Sequence, residues 1–219
     1  MISPQPPSSP SSSIPNLSAR PALRRKLRTK RRALSQSIQR QHAHQVAARI
    51  LRLPGIARAR CIALYVPTDG ELDPSPIRAR LARASTTWYL PVITSLAPPR
   101  LAFYPDQSAH RRRRNRFGIP EPDPRRQAPI KISSLDLVFL PLVGFDPDCQ
   151  RLGMGLGFYD RCFGAIRARA HWYRRPRLIG LAHECQRVER IETNPWDVAL
   201  DAVVTEQRLY VCGQPQSRS

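Results

Sequence analysis

The segment Gln-Arg-Leu-Gly-Met-Gly-Leu-Gly-Phe-Tyr-Asp-Arg-Cys at residues 150–162 decides how the rest of the chain is interpreted. It follows an apolar run at 137–140 that predicts a buried strand, and it leads into 158–169, which predicts a helix. Three glycines at alternate positions let the backbone lie close to a ligand, and a helix that starts directly after them offers free N–H groups to an anion. The arginine before the glycines and the aspartate after them indicate a phosphate and a metal ion. The segment therefore predicts a nucleotide site.

Two common nucleotide-binding motifs do not fit this segment. The P-loop pattern requires a lysine after its last glycine, and none follows here, which excludes a standard P-loop. The dinucleotide pattern G-x-G-x-x-G starts at Gly155 and Gly157 but meets Asp160 at its third glycine position, which disfavours a Rossmann cofactor site. A structural glycine turn is the simplest alternative. Such a turn has no need of Arg151, Tyr159 and Asp160 together, so a binding site is favoured.

Helix and strand patterns alternate along the chain. A basic helix is predicted over about 21–34, with Pro21 suited to its first turn, and a second helix runs from an N-cap at Ser35 to about residue 53. A short helix is predicted over 76–84. Apolar runs predict strands at 61–66, 87–90, 101–104, 137–140, 178–181 and 202–204. Strands that alternate with helices favour an α/β fold class with a mostly parallel central sheet.

Composition and charge narrow the class of protein only in part. The 219 residues fit one domain, and the apolar fraction of 41% is ordinary for a globular chain. No run approaches the roughly 18 apolar residues of a membrane span, so we expect no membrane partner. The net charge of +20 indicates either a polyanionic ligand or an arginine-rich solvated surface. The arginine run at 111–114, with Arg116, has the same two explanations, so charge alone decides nothing.

The cysteines and the termini complete this outline. The five cysteines show neither C-x-x-C spacing nor zinc spacing, so we expect a reducing compartment, no disulfide and a cytoplasmic location. The five histidines have no partner at useful spacing, and we assign them no role. Residues 1–19 are rich in Ser and Pro and carry no charge, which predicts a disordered extension rather than a signal peptide. The expected catalytic domain spans 20–210, followed by a flexible tail at 211–219.

Five segments in chain order resemble one enzyme family. They are the basic helix (20–24 and 31–35), a strand and turn (63–73), a central loop (116–122), the glycine segment (151–160) and a C-terminal motif (194–201). Together they resemble the 5-formyltetrahydrofolate cyclo-ligases, also called methenyltetrahydrofolate synthetases, over about residues 20–207. One such match would be weak, whereas five in the right order are specific. The resemblance implies a three-layer α/β/α sandwich with helices on both faces of the sheet.

The resemblance also implies an activity. Family members convert 5-formyltetrahydrofolate to 5,10-methenyltetrahydrofolate with ATP and Mg²⁺, releasing ADP and phosphate. Phosphorylation of the formyl oxygen turns a poor leaving group into a good one, after which N10 attacks the activated carbon. We therefore expect an enzyme that binds small molecules, acts as a monomer and needs no nucleic-acid partner. A basic nucleic-acid-binding protein and an inactive paralogue on the same fold are the alternatives.

Site residues follow from the same resemblance. ATP would be held by Arg20, Arg24, Arg151, Leu152, Gly153, Met154, Gly155, Leu156, Gly157, Phe158 and Tyr159. The folate substrate would contact Val66, Glu71, Met154, Gly155, Leu156, Gly157 and Phe158. Asp160 and Asp197 would bind Mg²⁺, an ion that prefers oxygen ligands.

Each of these roles has a simpler alternative. Asp160 fits a solvated helix start and Asp197 fits a turn or cap, while Val66 fits plain strand core. Arg20 stands where the family usually has lysine, and Leu156 stands where it has glycine or lysine. Tyr159 is a candidate to orient the formyl group or a phosphate, or else packs on the sheet. We assign no proton-transfer residue.

Overall fold

The computed structural model describes residues 19–106, 112–168 and 175–212. In these ranges the α-helices are α1 (Ala19–Arg32), α2 (Gln36–Ile50), α3 (Ser75–Leu81) and α4 (Phe158–Ala168). The strands are β1 (Cys61–Ala63), β2 (Thr87–Leu96), β3 (Pro99–Pro105), β4 (Arg112–Arg114), β5 (Pro120–Pro122), β6 (Leu137–Pro141), β7 (Gly144–Phe145), β8 (Arg151–Leu152), β9 (Arg177–Leu181), β10 (Ala202–Val204) and β11 (Leu209–Val211).

A seven-stranded sheet lies at the centre, in the order β11-β10-β9-β6-β1-β2-β3. The five strands from β10 to β2 in this order run parallel to their neighbours, while β11 and β3 pair antiparallel at the two edges. Strand β6 is buried along Leu137–Leu140, as its continuous apolar run predicts for a strand covered on both faces. The predicted mostly parallel sheet is therefore confirmed.

Helices cover both faces of this sheet. On one face, α2 and α3 bury Val46, Ile50 and Ile77 against sheet residues that include Ile62 and Phe139. On the other face, α4 buries Phe163 among Phe103, Val138, Leu178 and their neighbours. The predicted three-layer α/β/α arrangement is confirmed.

Helix α1 packs on the β7–β8 hairpin, next to the glycine segment. Leu27 is buried there with Val143, Leu152 and Ile191. Gly144 makes this packing possible, since a Cβ at that position would clash with Cδ1 of Leu27. The helix is thereby held where its N-terminal half can reach the loop that follows β8.

Several element boundaries agree with the sequence and several do not. Ser35 caps α2, because its Oγ accepts a hydrogen bond from the backbone N–H of Ile38 at 3.3 Å. The arginine run was expected to be a basic loop over 110–116, which is wrong in part, because Arg112–Arg114 form β4 and pair with β5. The expected tail begins too early, since β11 extends to Val211. Residues 1–18 and 213–219 lie outside the described ranges.

The expectation of no disulfide is also wrong. Cys149 and Cys212 are joined, with their Cα atoms 5.9 Å apart and a sequence separation of 63. Cysteines so far apart in sequence form no recognisable motif, so their spacing could not reveal this disulfide. The absence of such a motif is therefore not evidence for a reducing compartment. Within the part of the chain that the structure describes, no helix has the length and apolarity that a membrane span requires.

Candidate active site

A cleft of about 1540 Å³ opens where β1 and β6 end and the chain leaves the sheet. The carboxyl edge of a parallel sheet is a common place for a ligand, because the loops that follow the strands converge there. The cleft is lined by every predicted site residue except Leu152, together with further apolar and polar side chains from the central loop. Leu152 is instead fully buried against α1, so its side chain lies away from the cleft.

The glycine segment forms one wall of the cleft and the N-terminal half of α1 lies against it. Nε of Arg24 donates a hydrogen bond to the carbonyl oxygen of Gly153 at 2.8 Å. Gly155 has φ +102°, and a Cβ built on it would lie 3.4 Å from the guanidinium carbon of Arg24. Burial lowers the pKa of Arg24, and the charge of Arg20 lowers it further. The backbone of the loop and two cationic side chains therefore share a small space.

Asp160 is held at the start of α4 by two donors. Nη2 of Arg151 lies 2.5 Å from its Oδ1, and the backbone N–H of Val198 donates to the same oxygen at 3.1 Å. Arg151 is itself buried and lies over the ring of Tyr159, 5.8 Å from the centroid. Its Nε is buried without a hydrogen-bond partner among the described residues. This arginine thus retains an unused donor beside the cleft.

Asp197 pairs with an arginine of α1, as Asp160 pairs with Arg151. Nη2 of Arg20 donates to its Oδ2 at 2.7 Å, and the backbone N–H of Asn194 donates to that oxygen at 2.9 Å. Nε of Arg20 is buried and, within the described ranges, has no partner. Both predicted metal ligands therefore line one cleft, and each is paired with an arginine.

The turn after β1 forms the opposite end of the cleft. Asp69 and Gly70 adopt the left-handed conformation, with φ of +55° and +75°. Glu71 folds back so that its Oε2 accepts the N–H of Thr68 at 3.0 Å. Burial raises the pKa of Glu71, while this hydrogen bond and the charge of Arg31 act against the rise. The carboxylate is thus fixed in a mostly dry position that faces the cleft.

Helix α1 also holds this turn. Arg31 is fully buried and donates to the carbonyl oxygens of Asp69 at 3.0 Å and Leu142 at 3.3 Å. The Asp69 carboxylate is paired with Arg28, Arg31 and Arg32. One helix therefore contacts both the glycine segment and the Glu71 turn, which are distant in sequence.

Apolar side chains line the space between these two ends. Val66 lies in the wall beside Tyr65, whose hydroxyl donates to the carbonyl oxygen of Leu72. Tyr159 stacks on Phe163 of the same helix, with ring centroids 6.3 Å apart. It also packs against the core cluster that includes sheet residues, while still lining the cleft. The large exposed apolar residues of the rim are Phe117, Met154, Leu156 and Trp196. A flat, partly apolar ligand could be covered by such a rim.

Sequence reasoning assigned no role to several residues of this cleft. Glu121 accepts hydrogen bonds from Nδ2 of Asn115 at 2.6 Å and from the N–H of Ile93 at 3.3 Å, and burial raises its pKa. Phe117 and Trp196, which is 67% exposed, also line the cleft. The sequence could have indicated these residues. All of them except Ile93 lie in or beside the central loop and the C-terminal motif, the segments on which the family resemblance rests.

The described part of the arginine run does not line the cleft. Arg112 instead pairs with the carboxylate of Asp106, which also binds Arg78. These two arginines lower the pKa of Asp106 despite its burial. Arg113 and Arg114 are exposed on β4. Within the described residues, the run is thus partly structural and partly solvated.

Two histidines that were given no role lie together outside the cleft. Nδ1 of His42 is 2.9 Å from Nδ1 of His183, although they are 141 positions apart in sequence. Burial lowers the pKa of His183 to about 4, and the neighbouring His42 contributes to this lowering. Only the fold brings them together, so their spacing carried no signal.

The arrangement defines a class of protein. A parallel sheet carries, at its carboxyl edge, a glycine segment that leads into a helix, with three arginines around the segment and two carboxylates nearby. This combination is typical of α/β enzymes that bind a phosphorylated ligand.

Comparison with known proteins identifies the family within that class. The model of the 5-formyltetrahydrofolate cyclo-ligase family matches residues 16–206. The 5-formyltetrahydrofolate cyclo-ligase of Escherichia coli (strain K12) is 36% identical over 184 residues, which cover 84% of this chain and 98% of that protein. The protein of the same name from Haemophilus influenzae is 34% identical over 186 residues, covering 84% and 96%. The chain belongs to the 5-formyltetrahydrofolate cyclo-ligase family of enzymes, as its motifs indicated.

A solved structure supports the same assignment. The NMR structure of Aquifex aeolicus 5,10-methenyltetrahydrofolate synthetase superposes with a TM-score of 0.74 at 27% identity. The alignment covers 91% of this chain and 96% of that one. The likeness therefore extends over most of both chains.

Proposed function

We propose that this chain converts 5-formyltetrahydrofolate to 5,10-methenyltetrahydrofolate, with ATP as co-substrate and Mg²⁺ as cofactor. One observation carries the proposal. The α1 arginines, the glycine segment and two carboxylates line the same cleft as the buried Glu71, so a phosphate donor and a folate would meet there. Membership of the family supports the same reaction.

The glycine segment and the N-terminal half of α1 form what we call the phosphate end of the cleft. This end has the hydrogen-bond donors that a triphosphate needs. Arg20, Arg24 and Arg151 provide positive charge, and two of the three keep a buried Nε that no described residue satisfies. A phosphate oxygen is a natural acceptor for each, because charge-assisted hydrogen bonds of this kind are short and strong. The free N–H groups at the start of α4 add to the same attraction.

The donor set also fits Mg²⁺. All hydrogen bonds that the described residues make to Asp160 and Asp197 go to one oxygen of each carboxylate. The other oxygen of each stays available, and carboxylate oxygens are the ligands this ion prefers. When bound, Mg²⁺ would neutralise charge on the transferred phosphate. Phosphates arriving with the ion would take over the arginines that now pair with the two aspartates.

The turn that carries Glu71, together with the apolar rim, forms what we call the folate end of the cleft. Its groups suit the polar edge and the flat ring system of a pterin. The Glu71 carboxylate can accept two N–H hydrogen bonds from the edge of a pterin. Its fixed and mostly buried position strengthens such bonds. Val66 and the apolar rim would cover the ring system. Tyr159 lines the same cleft, with the guanidinium of Arg151 over its ring. Burial raises the pKa of its hydroxyl, so this O–H is a donor suited to orienting the formyl group toward the phosphate donor.

The chemistry then rests mainly on positioning. Arginines and backbone N–H groups would stabilise the charge on the γ-phosphate while the formyl oxygen attacks it and ADP leaves. The Glu71 turn and the rim would hold the folate in place, so that N10 attacks the activated carbon, gives up its proton to water and phosphate leaves. Holding reactants in this way contributes about 7–11 kcal/mol of barrier lowering in favourable cases.

The test is a direct assay on the purified full-length chain. We expect the near-ultraviolet absorbance of the methenyl product to grow only when 5-formyltetrahydrofolate, ATP and Mg²⁺ are all present. Asp160→Asn should abolish this growth while thermal unfolding stays within a few degrees of the wild type. Asp148→Asn is a matched control outside the cleft and should keep full activity. A folded wild-type chain that forms no product would refute the proposal.

Two further expectations belong with this proposal. We propose that the chain acts as a monomer, because one chain supplies both ends of the cleft. We also propose a cytoplasmic location, where folates and ATP occur together. Size-exclusion chromatography with light scattering tests the first, and localisation of the tagged chain in its host tests the second.

A further inference from the structure

Three metal-ligating side chains lie together outside the cleft. They are His42 on α2, His183 just after β9 and Glu206 just after β10. Nδ1 of His42 is 2.9 Å from Nδ1 of His183 and 3.6 Å from Oε2 of Glu206. One ligand atom from each residue can be chosen so that all lie within 4.8 Å of one another. None of the three lines the cleft, so this cluster is separate from the magnesium ligands proposed above.

Strand register explains why these residues meet. Strands β9 and β10 pair in parallel with Leu181 opposite Val204. His183 and Glu206 each follow two residues later, so they leave the sheet side by side at its carboxyl edge. Helix α2 packs over the same strands through Val46 and Ile50, which places His42, one turn earlier, above the pair.

We propose that His42, His183 and Glu206 form a binding site for a zinc-like divalent cation such as Zn²⁺, Co²⁺ or Ni²⁺. Two imidazole nitrogens and one carboxylate oxygen are a donor set that these ions accept, with water completing the shell. Around a tetrahedral ion with bonds of about 2.0–2.1 Å, ligand atoms lie about 3.3 Å apart. The two separations from Nδ1 of His42, 2.9 and 3.6 Å, fall on either side of that value. The ligand atoms of His183 and Glu206 lie within 4.8 Å of one another, so modest side-chain rotations would bring all three to it.

The surroundings favour a site with an open position. His183 is fully buried, while the His42 and Glu206 side chains keep 17% and 9% of their surface exposed. An ion could therefore enter from one side and retain water there. Oε2 of Glu206 accepts the backbone N–H of Glu184 at 3.0 Å, which fixes the carboxylate as outer-shell contacts do in known metal sites.

Metal titration of the full-length, untagged chain after removal of bound metal tests this site. We expect calorimetry with Zn²⁺ to give one tight site per chain, and Co²⁺ to give visible d–d absorption without a thiolate charge-transfer band. Saturating Zn²⁺ should raise the unfolding temperature by about 5 °C, because it binds only the folded state. Excess Mg²⁺ should not displace Zn²⁺, since Mg²⁺ prefers an all-oxygen shell.

Variants assign the binding to these side chains. His42→Gln and Glu206→Gln should each weaken Zn²⁺ binding at least about tenfold. His44→Gln, which changes an exposed histidine on the same helix, should leave it unchanged, and Cys185→Ser should do the same. If His42→Gln fails to fold, Glu206→Gln carries the test. Unchanged affinity in folded Glu206→Gln, or loss of binding only in Cys185→Ser, would overturn the proposal. The readout is metal binding, so failure of the folate assay would not affect it.

Discussion

At the scale of single residues, a change at Glu71 tests the folate end of the cleft independently of the phosphate end. Glu71→Gln keeps the shape and the contact with Thr68 but removes a charge, so the pterin loses a charge-assisted acceptor. We expect KM for 5-formyltetrahydrofolate to rise about tenfold or more, consistent with roughly 1.5–3 kcal/mol for a charged hydrogen bond. KM for ATP should change less than about twofold. Steady-state kinetics with each substrate varied in turn measures both; equal effects on the two would contradict the assignment.

The pH dependence of folate use follows from the same carboxylate. Burial raises the pKa of Glu71, so protonation begins at a higher pH than for an ordinary glutamate, and the acceptor is lost as pH falls through the raised value. We expect kcat/KM for folate to fall on the acid side with a midpoint above about 4.5. Glu71→Gln lacks this group, so its profile should be flatter. Profiles of the two proteins that run parallel would show that another group titrates.

Gly155 is required for its backbone conformation. Its φ of +102° disfavours any side chain, whereas a Cβ would meet the guanidinium carbon of Arg24 at 3.4 Å, an ordinary contact distance. We expect Gly155→Ala to destabilise the fold by about 1–2 kcal/mol and to raise KM for ATP. Gly164, inside α4, has open space around its Cβ position, so Gly164→Ala should be neutral or stabilising by up to about 1 kcal/mol. Chemical denaturation compares the two, and equal stabilities would contradict this account.

Single residues also show which parts of the site can be predicted from the sequence. The glycine spacing, the flanking Arg151 and Asp160, and the motif around Glu71 were enough to predict which residues line the cleft. Leu152 was grouped with them by sequence, yet strand alternation turns its side chain into the core. The contacts of Arg20 with Asp197 and of His42 with His183 join residues more than 140 positions apart, and no local pattern encodes such pairs.

At the scale of elements, α1 connects the two ends of the cleft. Its anchor is Leu27, which is buried over the β7–β8 hairpin. We expect Leu27→Ala to cost about 2–4 kcal/mol of stability and to raise KM for ATP, because Arg20 and Arg24 lose their fixed position. Lys26→Ala, on the exposed face of the same helix, should change stability by less than about 0.5 kcal/mol. Thermal unfolding and ATP kinetics test this; unchanged ATP binding in Leu27→Ala would show that the helix does not position the site.

Element prediction succeeded where periodicity was strong and failed where pairing was distant. The amphipathic pattern and the Ser35 cap defined α2, and continuous apolar runs defined the buried strands β6 and β9. Strand β4 consists of three arginines, which no apolar pattern could indicate, and it exists because β5 pairs with it. Strand β11 likewise depends on pairing with β10 at the sheet edge. Both follow from tertiary contacts rather than local propensity.

At the scale of the whole molecule, the net charge of +20 attracts any polyanion, so salt should distinguish specific from general binding. Affinity for RNA that rests on six to ten phosphate contacts should fall about 10³–10⁵-fold between 50 and 200 mM salt. Cyclo-ligase activity depends on a few partly buried contacts that salt screens less, so its kcat/KM should fall less than about tenfold. Fluorescence anisotropy with RNA and the absorbance assay, run in the same buffers, measure the two responses. RNA binding that persists at high salt while folate activity is absent would favour the nucleic-acid alternative, because only specific contacts resist screening.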